Sequence, residues 1–399
     1  KKYQYLDKNE RSFISRLVQG TEERKIELDY IIDSFSKTPV KKQKDVIRII
    51  LEMSVYQLKY MDSVPASAVC NEAVKLAVKK NFGTLRGFVN GVLRNIARNI
   101  DNIEYPDKST NTDKYLSVKY SVPEELAGYF LKKFGDNETE EMFEAFNKDK
   151  STYIRCNTKK TDIAGLTAAL EAEGVTVTNE GIDKRIDYAL KISGYDYLGG
   201  LKSFRDGLFF VQDISSMLAS QGGFIKRDAY VIDVCAAPGG KSINAALMAD
   251  IGHVSSRDIS GRKVSLIKEN AERLGIDNIT YKVWDAVKKD EESVEKADVL
   301  ICDLPCSGLG IIGRKPDIKY NASPEKLQSL VDLQRDILKV VSRYVKSGGV
   351  LMYSTCTINR AENEDNADWI CKELGFTKDG EYHQLLPANN SGMDGFFVA

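Results

Sequence analysis

Histidine is scarce in this sequence, which contains only His253 and His383 among its 399 residues. A catalytic histidine base or a histidine-rich metal site is therefore a weak explanation of its chemistry. No apolar run approaches the roughly 20 residues that a membrane helix needs, and the N-terminus lacks the apolar segment of a signal peptide. The seven cysteines show no paired spacing, which favours a reducing compartment. We therefore expect a cytoplasmic protein with no membrane contact and no metal.

Acidic residues are also scarce in one part of the chain, although the net charge is only −1. Residues 1–100 hold 19 Lys and Arg against 11 Asp and Glu. Between Ala73 and Ile100 there are no acids, and the basic residues are Lys75, Lys79, Lys80, Arg86, Arg94 and Arg98. On charge alone, a solvated helix face and a surface that contacts phosphate groups explain this segment equally well.

Apolar spacing divides the chain into regions of different fold class. Residues 1–100 show helical periodicity throughout, whereas residues 101–122 are polar and aperiodic, as is typical of a linker. Residues 123–200 combine predicted helices with a strand near 152–157, which indicates a small α+β unit. From residue 201 to 399 short apolar runs alternate with helical segments, and this pattern predicts a doubly wound, mostly parallel sheet. The predicted strands are 230–235, 252–258, 279–284, 298–302 and 349–353.

A glycine turn follows the first of these strands, within residues 233–242. Gly239 and Gly240 allow a tight turn and close approach of a ligand, and the N–H groups of the next helix could bind a carboxylate or phosphate. The spacing matches neither the dinucleotide-binding fingerprint nor a P-loop. Asp258 and Asp285 end the second and third strands, where acids can bind ribose hydroxyls and an adenine edge. The turn therefore predicts a nucleotide-like cofactor.

Two cysteines lie just beyond later strands. Asp303 and Cys306 follow the fourth strand and Cys356 follows the fifth, so all three should face the crevice at the carboxyl edge of the sheet. Two thiols beside a cofactor indicate covalent catalysis. A zinc site built from Cys302, Cys306 and Cys356 is poorly supported, because no CxxC pair or nearby histidine exists. Four other cysteines are interpreted as packing residues; these are Cys70, Cys156, Cys302 and Cys371. Cys235 lies in the glycine turn, where it would touch a cofactor through packing.

Taken together, these motifs resemble those of the RNA cytosine-5 methyltransferases, which use S-adenosylmethionine. The resemblance rests on residues 233–242, 303–308 and 354–357, and it continues in 207–213, 314–317 and 362–364. Residues 88–94 are similar to a NusB-type RNA-binding helical domain. The combination resembles the bacterial 16S rRNA cytosine-5 methyltransferases of the RsmB (Sun) type.

The resemblance implies a multidomain architecture. An all-α NusB-like domain (1–100), apparently without its first helix, and a linker (101–122) would precede a small RRM-like α+β domain (123–200). A Rossmann-like α/β methyltransferase core (201–399) would follow, with its last strand ending a few residues short. The family further implies a monomer that acts on 16S rRNA.

The resemblance also implies roles for individual residues. Cys356 would add to C6 of the target cytosine, Cys306 would assist product release, and Asp303 would bind the cytosine edge near N3. Cofactor contacts would come from Cys235, Ala236, Ala237, Pro238, Gly239, Gly240, Lys241, Asp258, Asp285 and Asp303. RNA contacts would come from the six basic residues named above and from Arg314 and Lys315.

Other interpretations stay open at this stage. DNA cytosine methyltransferases use the cysteine of the Pro-Cys motif as nucleophile, so the chemistry of the residues alone does not rank Cys306 against Cys356. A tRNA enzyme with the same chemistry is the nearest alternative within the class. A non-catalytic RNA-binding adaptor and a redox or metal-binding thiol protein are alternatives from other classes.

Overall fold

The computed structural model describes residues 5–148, 150–219, 224–387 and 393–399, and the chain divides into two compact units. The first unit comprises Lys1–Asn147 together with Lys315–Tyr320. The second comprises Lys148–Arg314 and Asn321–Ala399.

The first unit is helical, as the sequence predicts for residues 1–100. Its helices are α1 (Lys8–Glu23), α2 (Lys25–Phe35), α3 (Asp45–Tyr60), α4 (Ala66–Lys79), α5 (Arg86–Asn99), α6 (Thr112–Tyr120), α7 (Glu124–Phe134) and α8 (Asp136–Phe146). Apolar side chains recurring at helical spacing fill its core; in α3 these include Ile47, Ile50, Leu51 and Val55. Burial of such a stripe, more than intrinsic propensity, stabilises helices of this length.

Residues 101–122, predicted as a linker, contain helix α6. Asn111 caps this helix by accepting a hydrogen bond from the Lys114 backbone N–H at 2.9 Å. The apolar residues Leu116, Val118 and Tyr120 are buried but lie two positions apart, so they give no helical period in the sequence. Helices α7 and α8, which we predicted as part of the small α+β unit, also lie in the first unit. The first unit therefore extends beyond the predicted boundaries at residues 100 and 122. Helix α6 was not predicted because tertiary packing stabilises it and its sequence lacks helical periodicity.

The second unit begins with a small antiparallel sheet. Its elements are β1 (Thr152–Cys156), α9 (Ile163–Ala172), β2 (Thr176–Thr178), β3 (Ala189–Ser193), α10 (Lys202–Arg205) and β4 (Phe209–Val211). The strand order among the described residues is β2-β3-β1-β4. The predicted strand near 152–157 is confirmed, and α9 is one of the helices predicted within residues 123–200.

The rest of the second unit is an α/β fold around a larger sheet, and it confirms the predicted doubly wound architecture. The strands are β5 (Tyr230–Asp233), β6 (His253–Asp258), β7 (Ile279–Val283), β8 (Ala297–Asp303), β9 (Val345–Thr355), β10 (His383–Leu385) and β11 (Phe396–Val398). The helices are α11 (Ile214–Ala219), α12 (Gly240–Met248), α13 (Gly261–Leu274), α15 (Pro324–Val341) and α16 (Glu364–Leu374). The short helix α14 (Asp317–Asn321) lies between α13 and α15 in sequence but belongs, up to Tyr320, to the first unit.

Parallel pairing brings the carboxyl ends of the central strands to one edge. The order is β10-β11-β9-β8-β5-β6-β7, in which β5 to β9 pair in parallel and β10 and β11 are antiparallel. Separate apolar clusters cover the sheet, one with α12 and α13 and one with α15 and α16. With both faces covered, the strand ends are the natural place for a ligand.

Candidate active site at the carboxyl edge of the sheet

The glycine turn connects the end of β5 to the start of α12. Gly239 has φ +108°, a backbone conformation that favours glycine. A Cβ on this residue would also lie 3.1 Å from Cγ2 of Ile267, so the turn packs tightly against α13. The first N–H groups of α12 have no acceptor within the helix, which makes the turn suited to binding an anionic group.

Two buried aspartates hold this turn from the protein side. The Asp258 carboxylate accepts hydrogen bonds from the backbone N–H groups of Ala237 at 3.1 Å and Ile259 at 2.8 Å. Asp233 is fully buried and accepts from Ser242 Oγ at 2.6 Å. Burial raises the pKa of Asp233 to about 7. The conformation of the turn is therefore fixed before any ligand arrives.

Exposed apolar surface lies next to the predicted adenosine side of the site. Ile259, directly after Asp258, is 63% exposed. Ile259 could not be recognised as a site residue from the sequence, because an isoleucine next to a strand is usually buried in the core. Asp285 accepts from the backbone N–H of Val287 at 3.2 Å, so one of its carboxylate oxygens shapes its own loop. The adenine and ribose contacts of Asp258 and Asp285 stay predictions.

Lys241 and Asp303 form an ion pair beside the turn. Nζ of Lys241 lies 2.7 Å from Oδ2 of Asp303, and both side chains are at least partly withdrawn from solvent. Ser354 Oγ donates to the other carboxylate oxygen of Asp303 at 2.9 Å. The parallel register explains this contact, because Asp303 of β8 pairs with Ser354 of β9. The carboxylate of Asp303 is thus oriented from two sides.

The two predicted cysteines meet at the ends of these same strands. Cys306 Sγ lies 3.2 Å from Cys356 Sγ, and the backbone N–H of Gly310 donates to the Cys356 carbonyl at 3.1 Å. The hydrogen bond between the two sulfurs is the largest cause, and burial the next, that raises the pKa of the Cys306 thiol well above its ordinary value. Two thiols within hydrogen-bond distance can share a proton, so one sulfur can donate while the other acts as thiolate.

A cavity of about 260 Å³ extends from the glycine turn to the Cys356 thiol. Lys241, Asp303 and Cys356 line it together with Gln212 and Phe396. Of the remaining predicted site residues it is also lined by Cys235, Ala236, Ala237, Pro238 and Gly240. Gly239, Asp258, Asp285 and Cys306 lie outside its lining. The predicted nucleophile, Cys356, therefore lines the cavity, and Cys306 contacts it from outside the lining.

Cys235 also lines this cavity, and burial raises the pKa of its thiol. A thiol that resists ionisation suits the packing role that the sequence predicted for it. Cys70, Cys156 and Cys302 are buried, in agreement with their interpretation as packing residues, whereas Cys371 is only partly buried.

The loop after Cys306 is joined to the loop after Cys356 through Glu362. The Glu362 side chain is fully buried and accepts hydrogen bonds from the backbone N–H of Ser307 at 2.8 Å and from its hydroxyl at 2.5 Å. Ser307 Oγ lies 2.7 Å from Thr357 Oγ1. The sequence placed Glu362 in a family motif but gave it no role, because its contacts are 55 residues away along the chain.

Arg314 pairs with two carboxylates at the border of the site. Its Nη2 lies 2.7 Å from Oδ2 of Asp213, and its Nε pairs with Asp394. The residue is nevertheless exposed, and its contact with an RNA phosphate stays a prediction. Asp213 and Asp394 both line the cavity. Lys315 is exposed and belongs to the first unit.

The six basic residues of α4, α5 and their connection that were predicted to contact RNA all lie on the surface of the first unit. Lys75, Lys79, Lys80, Arg86, Arg94 and Arg98 are exposed on α4, α5 and the segment that connects them. Lys75 pairs with Glu72 at 2.7 Å, which neutralises part of the charge at that end. Contact with RNA at this surface stays a prediction.

Within the described residues, His, Cys, Asp and Glu form no group of three that could hold a metal ion. Over the same ranges, none of the helices combines the length and apolarity required to cross a membrane.

Comparison with known proteins gives matches over both units. A model of the family described as 16S rRNA methyltransferase RsmB/F matches residues 225–399, and a model of the NusB family matches residues 1–98. The probable ribosomal RNA small subunit methyltransferase B of Bacillus subtilis (strain 168) is 36% identical over 98% of this chain and 90% of its own length. The corresponding protein of Synechocystis (strain PCC 6803) is 33% identical with the same coverage.

A solved structure gives a match of similar extent. The crystal structure of PH0851 superimposes with a TM-score of 0.80 at 26% identity. The alignment covers 97% of this chain and 89% of that one. The similarity therefore extends beyond the α/β core to the whole described chain.

Proposed function

Because this chain belongs to the ribosomal RNA small subunit methyltransferase B family, we propose that it transfers a methyl group from S-adenosylmethionine to C5 of a cytosine in 16S rRNA. The observation that carries the proposal is the meeting of Cys356, Cys306 and Asp303 beside the glycine turn. These groups suit an attack on a pyrimidine ring because they supply a nucleophile, a proton donor and a carboxylate within one site.

The residues of the turn fit the cofactor. The start of α12 offers N–H groups for the carboxylate of the cofactor, and exposed Ile259 offers an apolar surface for its adenine. Asp258 and Asp285 are proposed to bind the ribose hydroxyls and the adenine edge. When bound, S-adenosylmethionine supplies a methyl group made electrophilic by its sulfonium centre.

The first chemical step is assigned to Cys356. Its thiolate adds to C6 of the cytosine, and the electron pair moves into the ring so that C5 becomes nucleophilic. Asp303 binds the cytosine edge near N3, and the charge developing there is balanced by a proton drawn through Asp303 from the ammonium group of Lys241. Lys241, at 2.7 Å from Asp303, holds the carboxylate in place and contributes the positive field that favours a thiolate.

Release of the product is assigned to Cys306. After methylation, loss of the C5 proton to a base allows the ring to expel the Cys356 sulfur and regain its aromaticity. The Cys306 thiol, 3.2 Å from that sulfur, donates a proton to the departing thiolate. Because its pKa is raised, Cys306 holds a proton at neutral pH and is suited to this role.

A buried cytosine must leave its stack to reach the cavity, so the target is expected in a loop, bulge or other accessible segment of the RNA. The basic surface on α4 and α5 is proposed to bind phosphates of the same RNA. This interaction is sequence-independent and places the strand without choosing the base.

The proposed function is tested by incubating the intact chain with labelled S-adenosylmethionine and protein-free 16S rRNA. Nucleoside analysis should place the label on C5 of cytosine, because the proposed thiolate addition makes C5 the nucleophilic carbon. Transfer RNA and 23S rRNA serve as parallel substrates under the same conditions. Label in tRNA alone would contradict the assignment to 16S rRNA, and label on another atom of the base would contradict the mechanism.

Charge reversal at Lys79 and Arg94 together should weaken binding of 16S rRNA. Each phosphate contact contributes about 0.7 to 0.9 to the slope of log affinity against log salt concentration. Loss of two contacts should therefore reduce the slope by about 1.4 to 1.8. Filter binding of the double Glu variant across a range of KCl concentrations measures this slope directly.

Lys8 and Lys41 give a matched control, since both are exposed lysines of the same unit outside this surface. The Lys8→Glu, Lys41→Glu variant changes the net charge equally and should retain more of the salt slope. Equal effects in the two double variants would contradict the proposed RNA contact and identify the α4 and α5 surface as an ordinary solvated face.

A further inference from the structure

Glu362 is a buried carboxylate surrounded by hydrogen-bond donors. Besides the backbone N–H and hydroxyl of Ser307, it accepts from Gln334 Nε2 at 3.0 Å and from Asn359 Nδ2 at 2.9 Å. Every one of these four contacts is donated to the carboxylate, and each oxygen receives two. This is the full complement that an ionised carboxylate accepts, and such charge-assisted hydrogen bonds hold geometry well.

The donors come from the residues next to both cysteines. Ser307 follows Cys306, and its hydroxyl also meets Thr357, which follows Cys356. Gln334 of α15 donates in addition to the carbonyl of Pro305 at 2.9 Å, so Cys306 is flanked by anchored residues on each side. The separation of the two sulfurs is therefore set by a network whose centre is Glu362.

Ionisable groups around the Cys306 thiol act in the same direction. The Cys356 sulfur and the Glu362 carboxylate both disfavour a negative charge on Cys306, and the backbone N–H of Gly308 opposes them only in part. Tyr353 of β9 also lies nearby, and burial raises its pKa, so it is neutral and adds no charge. Cys306 is therefore kept as a thiol.

We propose that Glu362 is a positioning residue that distinguishes the two cysteines. It fixes the spacing of their sulfurs, and its charge keeps Cys306 protonated, so Cys356 is left to attack and Cys306 to donate. This inference rests on the proposed methyl transfer, and it explains how two adjacent thiols acquire different roles.

The test is Glu362→Gln, which keeps the shape of the side chain and removes its charge. Turnover should fall about 10- to 100-fold, as when a group that orients a reactive residue is removed, while the KM for S-adenosylmethionine stays within about twofold of its original value. Alkylation of Cys306 by iodoacetamide, resolved by peptide mass spectrometry, should shift to lower pH, because a negative charge that disfavours the Cys306 thiolate is removed. Asp365→Asn is the matched control, because Asp365 is exposed on the same segment and should alter neither measurement.

Ser307→Ala separates position from charge. It removes the hydroxyl link to Thr357 but retains Glu362 and the backbone hydrogen bond to it. Turnover should fall, whereas the pH dependence of Cys306 alkylation should stay that of the intact chain. Thermal unfolding and cofactor binding show whether Glu362→Gln folds. If it does not, Ser307→Ala tests the proposal instead, and unchanged turnover in Ser307→Ala would overturn it.

The outcomes for Glu362 and for the overall function are distinguishable. A folded Glu362→Gln variant with an unchanged alkylation profile overturns the proposal, whether or not its turnover is reduced. An intact chain that methylates no RNA contradicts the proposed function instead. The alkylation comparison needs no RNA, so it reports on Glu362 in either case.

Discussion

Replacing Cys356 with alanine should reduce methyl transfer to 16S rRNA by roughly 10⁴-fold or more, the scale on which enzymes lose activity when a nucleophile is removed. Without the sulfur nothing adds to C6, and C5 of cytosine is too weak a nucleophile to take the methyl group. Labelled transfer by the purified variant measures the loss. Binding of S-adenosylmethionine should persist, because the cofactor turn is held by Asp233 and Asp258 independently of the thiol.

Cys371→Ala is the matched control for this experiment. Cys371 is a free, partly buried cysteine in α16 that does not line the cavity beside the glycine turn, and its loss should leave turnover unchanged. Retained transfer in Cys356→Ala would remove Cys356 as nucleophile. Cys306, which corresponds to the nucleophile of DNA cytosine methyltransferases, would then be the candidate nucleophile.

Replacing Cys306 with alanine should give a different result, namely accumulation of a covalent complex between protein and RNA. Alanine cannot donate the proton that the departing Cys356 sulfur needs, so the chain stays bound to C6 after methylation. Turnover should fall about 10²-fold or more, the usual contribution of a general acid. The complex is measured as a slowly migrating band on a denaturing gel that disappears on digestion with ribonuclease.

The Cys306→Ala, Cys356→Ala double variant provides the control, since it lacks the bond-forming sulfur and should give no band. A band in the double variant would assign the adduct to another residue. Slow turnover of Cys306→Ala without a band would indicate that Cys306 acts in a step before the adduct forms, which contradicts its role in product release.

Much of the fold could be predicted because the relevant signals are local. The short apolar runs of a buried parallel sheet alternate with amphipathic helices, and this alternation is visible in residues 201–399. The site followed from the same reasoning, since parallel strands end at one edge and carry Asp303 and Cys356 there. Helix α6 escaped prediction because its buried residues lie at alternate positions and tertiary packing supplies its stability.

The contacts that the sequence did not reveal join distant segments. Arg314 pairs with one carboxylate 101 residues earlier and with another 80 residues later. The local sequence around Arg314 does not indicate either ion pair. The Glu362 network has the same character, because its donors come from α15 and from two separate loops. Side-chain pairs of this kind depend on tertiary structure, which periodicity and local motifs do not encode.

The first unit is discontinuous in sequence, and this has a practical consequence for dividing the molecule. Lys319 of α14 is buried in that unit, and its Nζ donates to the backbone carbonyl of Glu23 at 2.6 Å. The Tyr320 hydroxyl donates to the backbone carbonyl of Glu22 at 2.9 Å. A fragment ending at Asn147 would lack these donors, so the C-terminal carbonyls of α1 would lose their hydrogen bonds. A fragment beginning at Lys148 would expose Lys319, whose side chain is buried in the intact first unit. Exchange of the first unit between relatives should therefore transplant residues 315–320 together with the N-terminal helices.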